Sequence, residues 1–329
     1  MAIAVSQEEA KVYQEKLSQI RSEISKLVIG QSKTVNSLLR GLLCDGHVLL
    51  EGVPGVAKTT IIKTFATIAG CSQKRIQFTA DLLPADITGI TAYNEKTKEF
   101  YIVKGPVFAN FLMADEINRA TPKVQSALLE AMQERQVTIG RETFKLQLPF
   151  FVMATSNPLE SEGIYTLPEA QIDRFLFKIL VDYPTLEDER QVLKKNITIH
   201  KFEEFGIRPI LNPEEIIKLQ NFVKNIYCSE KVEDYILHLV DATRNSHKYK
   251  LNLGKFIETG CSPRATIALY IASKAEALLN GDNYVTPQHV KNIAHDSLRH
   301  RIILNYEGEA ENISKDDIIT ELLAKIPIP

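Results

Sequence analysis

The sequence has few cysteines, and their placement excludes two kinds of stabilised site. Its 329 residues contain four cysteines and seven histidines. The cysteines are Cys44, Cys71, Cys228 and Cys261. No two of them form a C-x-x-C pair, and none has a histidine at metal-ligand spacing. We therefore expect reduced, mostly buried thiols and structural or surface histidines, without a disulfide framework or a zinc site.

Long apolar runs and net charge are also lacking. A transmembrane helix needs roughly 20 consecutive apolar residues, and no such run is present. The first 21 residues are polar and lack the apolar core of a signal peptide. We therefore expect a cytoplasmic protein with no membrane insertion. The net charge of −2, from 39 basic and 41 acidic side chains, gives no bulk attraction for nucleic acid.

The first half of the chain alternates between strand-like and helix-like patterns. Buried strands alternating with helices predict an α/β fold with a parallel sheet covered on both faces. The predicted strands are 47–51, 75–78, 111–115, 150–155 and 175–180, and the predicted helices are 8–27, 32–44, 60–69 and 122–133. Two further segments, 91–104 and 135–148, have the pattern of inserted β-hairpins, the second around Gly140.

The second half of the chain has helical patterns only. The change comes near Pro184, and we expect no strand pair beyond it. The predicted helices are 187–195, 213–226, 231–245, 263–279 and 287–301. The sequence thus predicts an α/β domain at 1–184 and an all-helical domain at 185–329.

A glycine-rich run follows the first predicted strand and opens a helix, which is the context of a phosphate-binding loop. Glycines let backbone N–H groups approach phosphates, and the helix N-terminus adds its positive dipole end. Lys58 would contact the β- and γ-phosphates, and the Thr59 hydroxyl would bind Mg²⁺. The predicted nucleotide-binding residues of this run are Gly52, Val53, Pro54, Gly55, Val56, Ala57, Lys58, Thr59 and Thr60.

Two acids end the third predicted strand, where ligands bind in open α/β sheets. Asp115 would bind Mg²⁺, largely through water, and Glu116 would orient the attacking water. Acids in this position often only cap a helix. The preceding phosphate loop favours the catalytic role.

Three more polar residues have a structural and a functional interpretation. Asn157 ends the next apolar run and either contacts the γ-phosphate or forms an Asn-Pro turn. Arg174 precedes the last strand and could form a salt bridge with Asp173. Arg264 follows Ser262 and Pro263 on the first turn of a helix.

Together these stretches resemble the MoxR family of AAA+ ATPases, from Val28 to about Arg301. The segments that carry the resemblance are 52–59, with alanine at 57, and 78–89, 105–108, 114–120, 125–134 and 262–265. The resemblance implies a P-loop AAA+ core with a five-stranded parallel sheet and a helical lid. It also implies that 91–104 is the insertion in helix 2 and that 135–148 is the hairpin before sensor 1.

The resemblance also assigns roles to single residues. Asn157 matches sensor 1, Arg264 matches the sensor 2 that joins the lid to the γ-phosphate, and Arg174 matches the arginine finger offered to a neighbouring subunit. The segment that would contact adenine is Val28, Ile29 and Gly30. The implied cofactors are ATP and Mg²⁺. The implied assembly is a homo-oligomeric ring, typically a hexamer, that acts on client protein complexes with a partner carrying a von Willebrand factor A domain.

Two other functions compete with this ATP-driven protein remodeller. A nucleic-acid motor of the helix-2-insert group would need basic hairpins. Segment 135–148 has Arg135, Arg141 and Lys145, but Glu142 and the preceding Glu134 make the charge mixed. Phe144 is its one aromatic side chain. A catalytically silent nucleotide switch would have no use for Glu116. We therefore expect an ATPase without nucleic acid as partner.

Overall fold

The computed structural model describes residues 5–52, 58–157, 164–195 and 202–329. Within them, five parallel strands form one sheet in the order β2-β5-β8-β1-β9. These strands are β1 (Val48–Gly52), β2 (Gln73–Gln77), β5 (Phe111–Asp115), β8 (Phe151–Ser156) and β9 (Phe177–Val181). The predicted α/β core with a five-stranded parallel sheet is confirmed.

Helices cover both faces of this sheet. Alternate residues of a strand point to opposite faces, so Val48 and Leu50 of β1 enter one apolar cluster, while Leu49 enters the other. The helices are α1 (Gln7–Ser25), α2 (Ser32–Leu43), α3 (Lys58–Ile68), α4 (Pro84–Thr88), α5 (Pro122–Glu134) and α6 (Glu169–Ile172). The first cluster contains buried residues of α1, α2 and α3, and the second contains those of α5. None of the described helices is long and apolar enough to cross a membrane.

Both predicted hairpins are present. Strands β3 (Gly89–Asn94) and β4 (Glu99–Lys104) pair antiparallel, and so do β6 (Gln136–Ile139) and β7 (Glu142–Lys145). Gly140 lies in the second turn with φ +63°, a conformation that glycine adopts without strain.

The C-terminal region is helical, as predicted, with one exception. Its helices are α7 (Leu186–Lys195), α8 (Pro213–Lys224), α9 (Glu230–Arg244), α10 (Pro263–Asn280), α11 (Pro287–Leu298), α12 (Tyr306–Ala310) and α13 (Lys315–Lys325). However, β10 (Ile257–Thr259) pairs antiparallel with β11 (Ile303–Leu304). The prediction of no strand pair is wrong here, because two or three residues are too short to show an alternating pattern.

The C-terminal helices share a core with the sheet. Leu50 of β1 and Phe177 of β9 belong to the same apolar cluster as Leu269 of α10 and Leu298 of α11. The chain passes from β9 to α7 between Val181 and Leu186, around the predicted boundary at Pro184. The division into domains at 184 stays a prediction, since the packing is continuous across it.

A buried ion pair joins the C-terminal helices to the turn before β9. The Nε of Arg301 donates to Oδ1 of Asp173 at 2.8 Å, and Arg301 also donates to the carbonyl oxygens of Phe175 and Leu176 at 2.7 and 3.2 Å. The hydroxyl of Ser262 donates to the other oxygen of Asp173 at 2.8 Å. The side chain of Arg301 is only 3% exposed, so burial lowers the pKa of its guanidinium while Asp173 opposes that shift.

We expect Asp173→Ala to destabilise the fold strongly. It would leave the Arg301 charge buried without its carboxylate partner, which costs about 3–5 kcal/mol. Urea unfolding followed by circular dichroism measures the effect. The exposed pair of Glu187 with Arg190 gives the control, and Glu187→Ala should change stability by less than about 0.5 kcal/mol. Equal stability of Asp173→Ala and Glu187→Ala would contradict the assigned role of the buried pair.

Candidate nucleotide site

The carboxyl ends of three central strands gather the predicted catalytic residues. Strand β1 ends at Gly52, β5 ends at Asp115, and β8 ends one residue before Asn157. The Nζ of Lys58 donates to the carbonyl oxygen of Gly52 at 2.5 Å and to that of Ser156 at 3.4 Å. Lys58 therefore lies between the ends of β1 and β8. The predicted loop residues Val53, Pro54, Gly55, Val56 and Ala57 lie outside the described residues.

The first turn of α3 follows directly. Thr59 is exposed and Thr60 is half-buried, and the Thr60 carbonyl oxygen accepts a hydrogen bond from the Thr64 hydroxyl at 2.8 Å. The N-terminus of this helix carries partial positive charge and free N–H groups, which favour phosphate. The exposed Thr59 hydroxyl is therefore accessible to a ligand.

Asp115 is buried at the end of β5, and both of its carboxylate oxygens accept hydrogen bonds. The hydroxyl of Thr155 donates to Oδ1 at 2.6 Å, and Arg75 of β2 donates to Oδ2 at 2.6 Å. The carboxylate is thus held from both neighbouring strands. Arg75 is about half exposed, so it can leave this oxygen without a large burial change.

Glu116 has an unusual backbone conformation for a residue with a side chain. Its φ and ψ are 54° and 51°, in the left-handed region. Its N–H donates to the Thr155 hydroxyl at 2.9 Å. Its carboxylate accepts from Gln77 at 2.8 Å and pairs with Arg119 at 3.2 Å. Neighbouring groups therefore hold both the backbone and the side chain of this acid.

Asn157 is buried at the same edge, 4% exposed. Its carbonyl oxygen accepts a long hydrogen bond from Asn118 at 3.4 Å. Asn118 follows Glu116 by two residues, so this contact joins the ends of β5 and β8 beyond the sheet. Asn157 therefore lies at the carboxyl edge with Lys58 and Asp115, and its sensor 1 role stays a prediction.

A cleft of about 340 Å³ lies at the predicted adenine segment. Val28, Ile29 and Gly30 line it, together with Asp188 of α7. Gly30 has φ +74°, and a Cβ there would meet the Asp188 carboxylate at 2.7 Å, so a larger residue would be strained and would displace the Asp188 side chain. Gln31 donates to the carbonyl oxygen of Asp182 at 3.0 Å, which places the cleft beside the carboxyl end of β9.

Arg174 lies at the other edge of the sheet, before the amino end of β9. Its Nη1 donates to the Leu129 carbonyl oxygen at 3.2 Å, and its buried Nε has no hydrogen-bond partner. The alternative ion pair with Asp173 is not formed among the described residues, since that carboxylate binds Arg301, Ser262 and Arg264. Among the described residues, therefore, no carboxylate forms an ion pair with the guanidinium of Arg174.

Arg264 does not lie where the sensor 2 assignment expects it. Its Nη1 approaches Asp173 at 3.5 Å, and it lines one cleft with Arg174 and His47 at the amino edge. A strand of five residues separates the two edges by roughly 15 Å. The expectation that Arg264 joins the lid to the γ-phosphate of its own chain is therefore not met. Sequence cannot show which sheet edge a distant helix packs against.

His47 adds no charge to this cleft. Burial, and secondarily Arg135, lowers the pKa of His47 well below its ordinary value. Its Nδ1 accepts from the Val152 N–H at 3.0 Å, so its Nε2 carries the proton and donates to the Met132 carbonyl oxygen at 3.2 Å. Arg135 and Arg301 also line the cleft, where they pair with Asp45 and Asp173. Arg174 and the half-exposed Arg264 supply further positive charge.

Two residues of the hairpin 135–148 that a nucleic-acid motor could use, Arg135 and Phe144, contact the protein itself. Arg135 is turned inward and donates to the Phe150 carbonyl oxygen and to Asp45. Phe144 packs against Phe108, with ring centroids 6.2 Å apart, so it is not a free stacking platform. This observation does not favour the nucleic-acid motor.

Comparisons with known proteins agree with this geometry. Residues 47–177 match the family described as ATPase family associated with various cellular activities (AAA), and residues 253–322 match the AAA lid domain. The Chaperone MoxR1 of Mycobacterium tuberculosis is 45% identical over 93% of this chain and 81% of its own length. The Protein MoxR of Paracoccus denitrificans is 32% identical over 93% of this chain and 94% of its own. The chain belongs to the MoxR family of AAA+ ATPases.

A solved structure supports the same fold for this MoxR-family chain. A crystal structure from Cytophaga hutchinsonii has a TM-score of 0.91 and 45% identity, and the match covers 98% of each chain. The fold described above is therefore shared along nearly the whole length.

In the described part of the chain, cysteines and metal-binding side chains form no disulfide and no metal cluster. The four cysteines are unpaired, with Cys261 buried and Cys44, Cys71 and Cys228 half-buried. The described residues contain no group of three His, Cys, Asp or Glu side chains that could hold a metal ion. A cation at the nucleotide site would therefore depend on phosphate and water oxygens as well as on Thr59 and Asp115. Hydroxyl and carboxylate oxygens are ligands that Mg²⁺ accepts, so these residues fit it.

Sequence reasoning missed Arg75, which touches Asp115, Gln77, which touches Glu116, and Thr155, which touches both acids. Arg75 and Gln77 lie on β2, two residues apart, and therefore on one face of the strand. A polar pair on an edge strand is common, so it gave no signal by itself. Their position beside β5 becomes visible only through the strand order.

We expect Arg75 to compete with Mg²⁺ for Asp115. Arg75→Met removes the competing charge. The ADP affinity with Mg²⁺, divided by the ADP affinity without it, should then rise about fivefold. This factor corresponds to about 1 kcal/mol, the contribution of a half-exposed ion pair such as that of Arg75 with Asp115. Isothermal titration calorimetry measures both affinities. Lys74→Met, which removes the neighbouring charge on β2, is the control. An unchanged ratio in Arg75→Met would show that Arg75 does not oppose the metal ion.

Proposed function

We propose that this chain binds ATP with Mg²⁺, hydrolyses it in a homo-oligomeric ring, and uses the cycle to remodel protein complexes. The observation that carries the proposal is the division of residues between the two sheet edges. Lys58, Asp115, Glu116 and Asn157 lie at the carboxyl edge, while Arg174 and Arg264 lie at the amino edge.

The residues of the carboxyl edge suit phosphate chemistry. Lys58 would place its charge on the β- and γ-phosphates, and the half-buried Glu116 would orient the attacking water. Asn157 would contact the γ-phosphate or hold that water. Mg²⁺, held by Thr59 and Asp115, would supply positive charge to the phosphate oxygens.

The residues of the amino edge imply a neighbouring subunit. Neither Arg174 nor Arg264 can reach the carboxyl edge of its own chain across the length of a strand. In a head-to-tail ring the amino edge of one subunit can face the carboxyl edge of the next. We therefore propose that both arginines act on the nucleotide of the neighbour. The hexameric size of the ring is proposed from the family resemblance.

The remodelling role rests on the relatives. One relative is named a chaperone, and we extend that role to this chain. By family resemblance, we propose that it acts on client complexes together with a protein carrying a von Willebrand factor A domain.

We expect Lys58→Ala and Glu116→Gln to separate binding from hydrolysis. Lys58→Ala removes a charge from the phosphates and should abolish tight ATP binding. Glu116→Gln keeps the site but cannot activate water, so it should bind ATP normally and hydrolyse it roughly a hundredfold more slowly. Equilibrium binding of a fluorescent ATP analogue and a phosphate-release assay measure the two properties.

Lys63→Ala removes the same charge one turn and a half further along α3 and should bind ATP like the unaltered protein. If Glu116→Gln loses binding as Lys58→Ala does, the division of roles is wrong. Glu116→Gln should also retain the partner protein from extracts of the native cell, while Lys58→Ala should not. Recovery of no von Willebrand factor A protein would count against that partner.

We expect Arg174→Ala to be rescued by mixing with Lys58→Ala. Arg174→Ala keeps an intact nucleotide pocket but lacks the arginine finger. Lys58→Ala keeps the arginine finger, but its own nucleotide pocket is inactive. An arginine finger is worth roughly 10³–10⁵ in rate, so each pure variant should be nearly inactive. Mixed rings contain intact pockets that face intact fingers, so the ATPase rate should partly return.

Mixing Arg264→Ala with Lys58→Ala separates action within one chain from action across the interface. If Arg264 acts within its own chain, each intact pocket in the mixture still lacks it, and no activity returns. If Arg264 acts on the neighbour, activity returns as for Arg174. Fluorescence transfer between labelled chains must first show subunit exchange. Exchange without recovery in either mixture would refute action in trans for that arginine.

A further inference from the structure

We propose that Thr155 is a positioning residue that fixes both Asp115 and Glu116 for the reaction, an inference that rests on the proposed ATP hydrolysis. Thr155 lies on β8 and is 1% exposed. Its hydroxyl contacts the side chain of one acid and the backbone of the other. This juxtaposition gives a buried hydroxyl control over the geometry of both groups.

The strand register brings these residues together. Strands β5 and β8 are parallel neighbours, and Ala114 pairs with Ala154. The next pair along the register is therefore Asp115 beside Thr155, with side chains on the same face. The resulting 2.6 Å hydrogen bond from the hydroxyl to Oδ1 is short, as expected for a bond to a carboxylate.

The same hydroxyl oxygen also accepts the N–H of Glu116 at 2.9 Å. A hydroxyl has one proton to donate and lone pairs to accept with, so donation to Asp115 leaves it free to accept here. This second bond fixes Glu116 at φ 54°, ψ 51°, which is uncommon for a residue with a side chain. It thereby sets the direction in which the Glu116 side chain leaves the strand.

Loss of the hydroxyl would release both acids. The Asp115 carboxylate could rotate away from the metal ion, and the Glu116 N–H would lose its acceptor. Groups that orient a metal ligand typically contribute about tenfold to a hundredfold to metal affinity or activity. We therefore expect the effect of Thr155 to appear in kcat and in the Mg²⁺ dependence of nucleotide binding.

A purely structural role has a different signature. Threonine is β-branched and packs well in a strand, so its methyl group alone could explain its presence. Thr155→Val keeps the branched shape and removes the hydroxyl. Thr155→Ser keeps the hydroxyl and removes the methyl group. The two roles therefore predict opposite results for this pair of variants.

The experiment compares Thr155→Val, Thr155→Ser and the control Thr64→Val. Thr64 is buried on α3, and its hydroxyl bonds only to the Thr60 carbonyl oxygen in the hydrogen bonds described. The measurements are kcat and KM for ATP, and the ratio of ADP affinities with and without Mg²⁺. Thr155→Val should lower kcat and that ratio by about tenfold to a hundredfold, with metal-free ADP affinity unchanged. Thr155→Ser and Thr64→Val should match the unaltered protein.

Several results would overturn the proposal. One is a folded Thr155→Val with unaltered kcat and Mg²⁺ ratio. Another is a folded Thr155→Ser variant in which both kcat and the Mg²⁺ ratio fall. This second result is decisive even if Thr155→Val does not fold. Failure of the proposed function is distinguishable, because the unaltered protein would then show no Mg²⁺-dependent hydrolysis. The Mg²⁺ ratio measured with ADP would still report whether Thr155 orients Asp115.

Discussion

The carboxylate of Asp173 is the interaction on which the arrangement of this molecule depends. It lies in the turn before β9 and binds Arg301 and Ser262, both from the C-terminal helices. Because Arg301 is almost fully buried and also donates to the carbonyl oxygens of Phe175 and Leu176, the turn has one stable position against α10 and α11. That position places Arg174, the next residue, and Arg264, two residues after Ser262, in a single cleft. A structural ion pair thus determines where two positively charged side chains face outward.

The parallel sheet then separates this local arrangement from the predicted nucleotide site. All five strands end at one edge, and Lys58, Asp115 and Glu116 lie together there. The arginines begin from the opposite edge and cannot cross the length of a strand. Within one chain, therefore, these arginines lie about the length of a strand away from Lys58 and the two acids. This separation is the reason for proposing that the amino edge of one copy meets the carboxyl edge of another.

Sequence alone predicted the sheet and the carboxyl edge well, because apolar runs and the polar residues that end them are neighbours in the chain. The predicted common edge of Asp115, Glu116 and Asn157 is present in the structure for this reason. The location of Arg264 was not predictable, because it depends on how α10 packs against the turn that contains Asp173. Arg264 and Asp173 are 91 residues apart in sequence. The β10–β11 pair was missed because its strands have two and three residues. Thr155 was missed because a threonine inside an apolar strand looks like any other β-branched residue.

The contacts missed by sequence share one physical origin, which is hydrogen bonding between adjacent strands. Asp115 and Glu116 are neighbours in sequence, yet β2 and β8 on either side supply Arg75, Gln77 and Thr155 to hold them. Strand order decides which side chains can do this, and strand order is a long-range property of the chain. Since each strand is fixed by its own ladder and by a close-packed core, these supporting groups cannot shift independently. The positions of the two acids therefore depend on the rigidity of the sheet, while their partners Arg75 and Arg119 lie at its exposed margin.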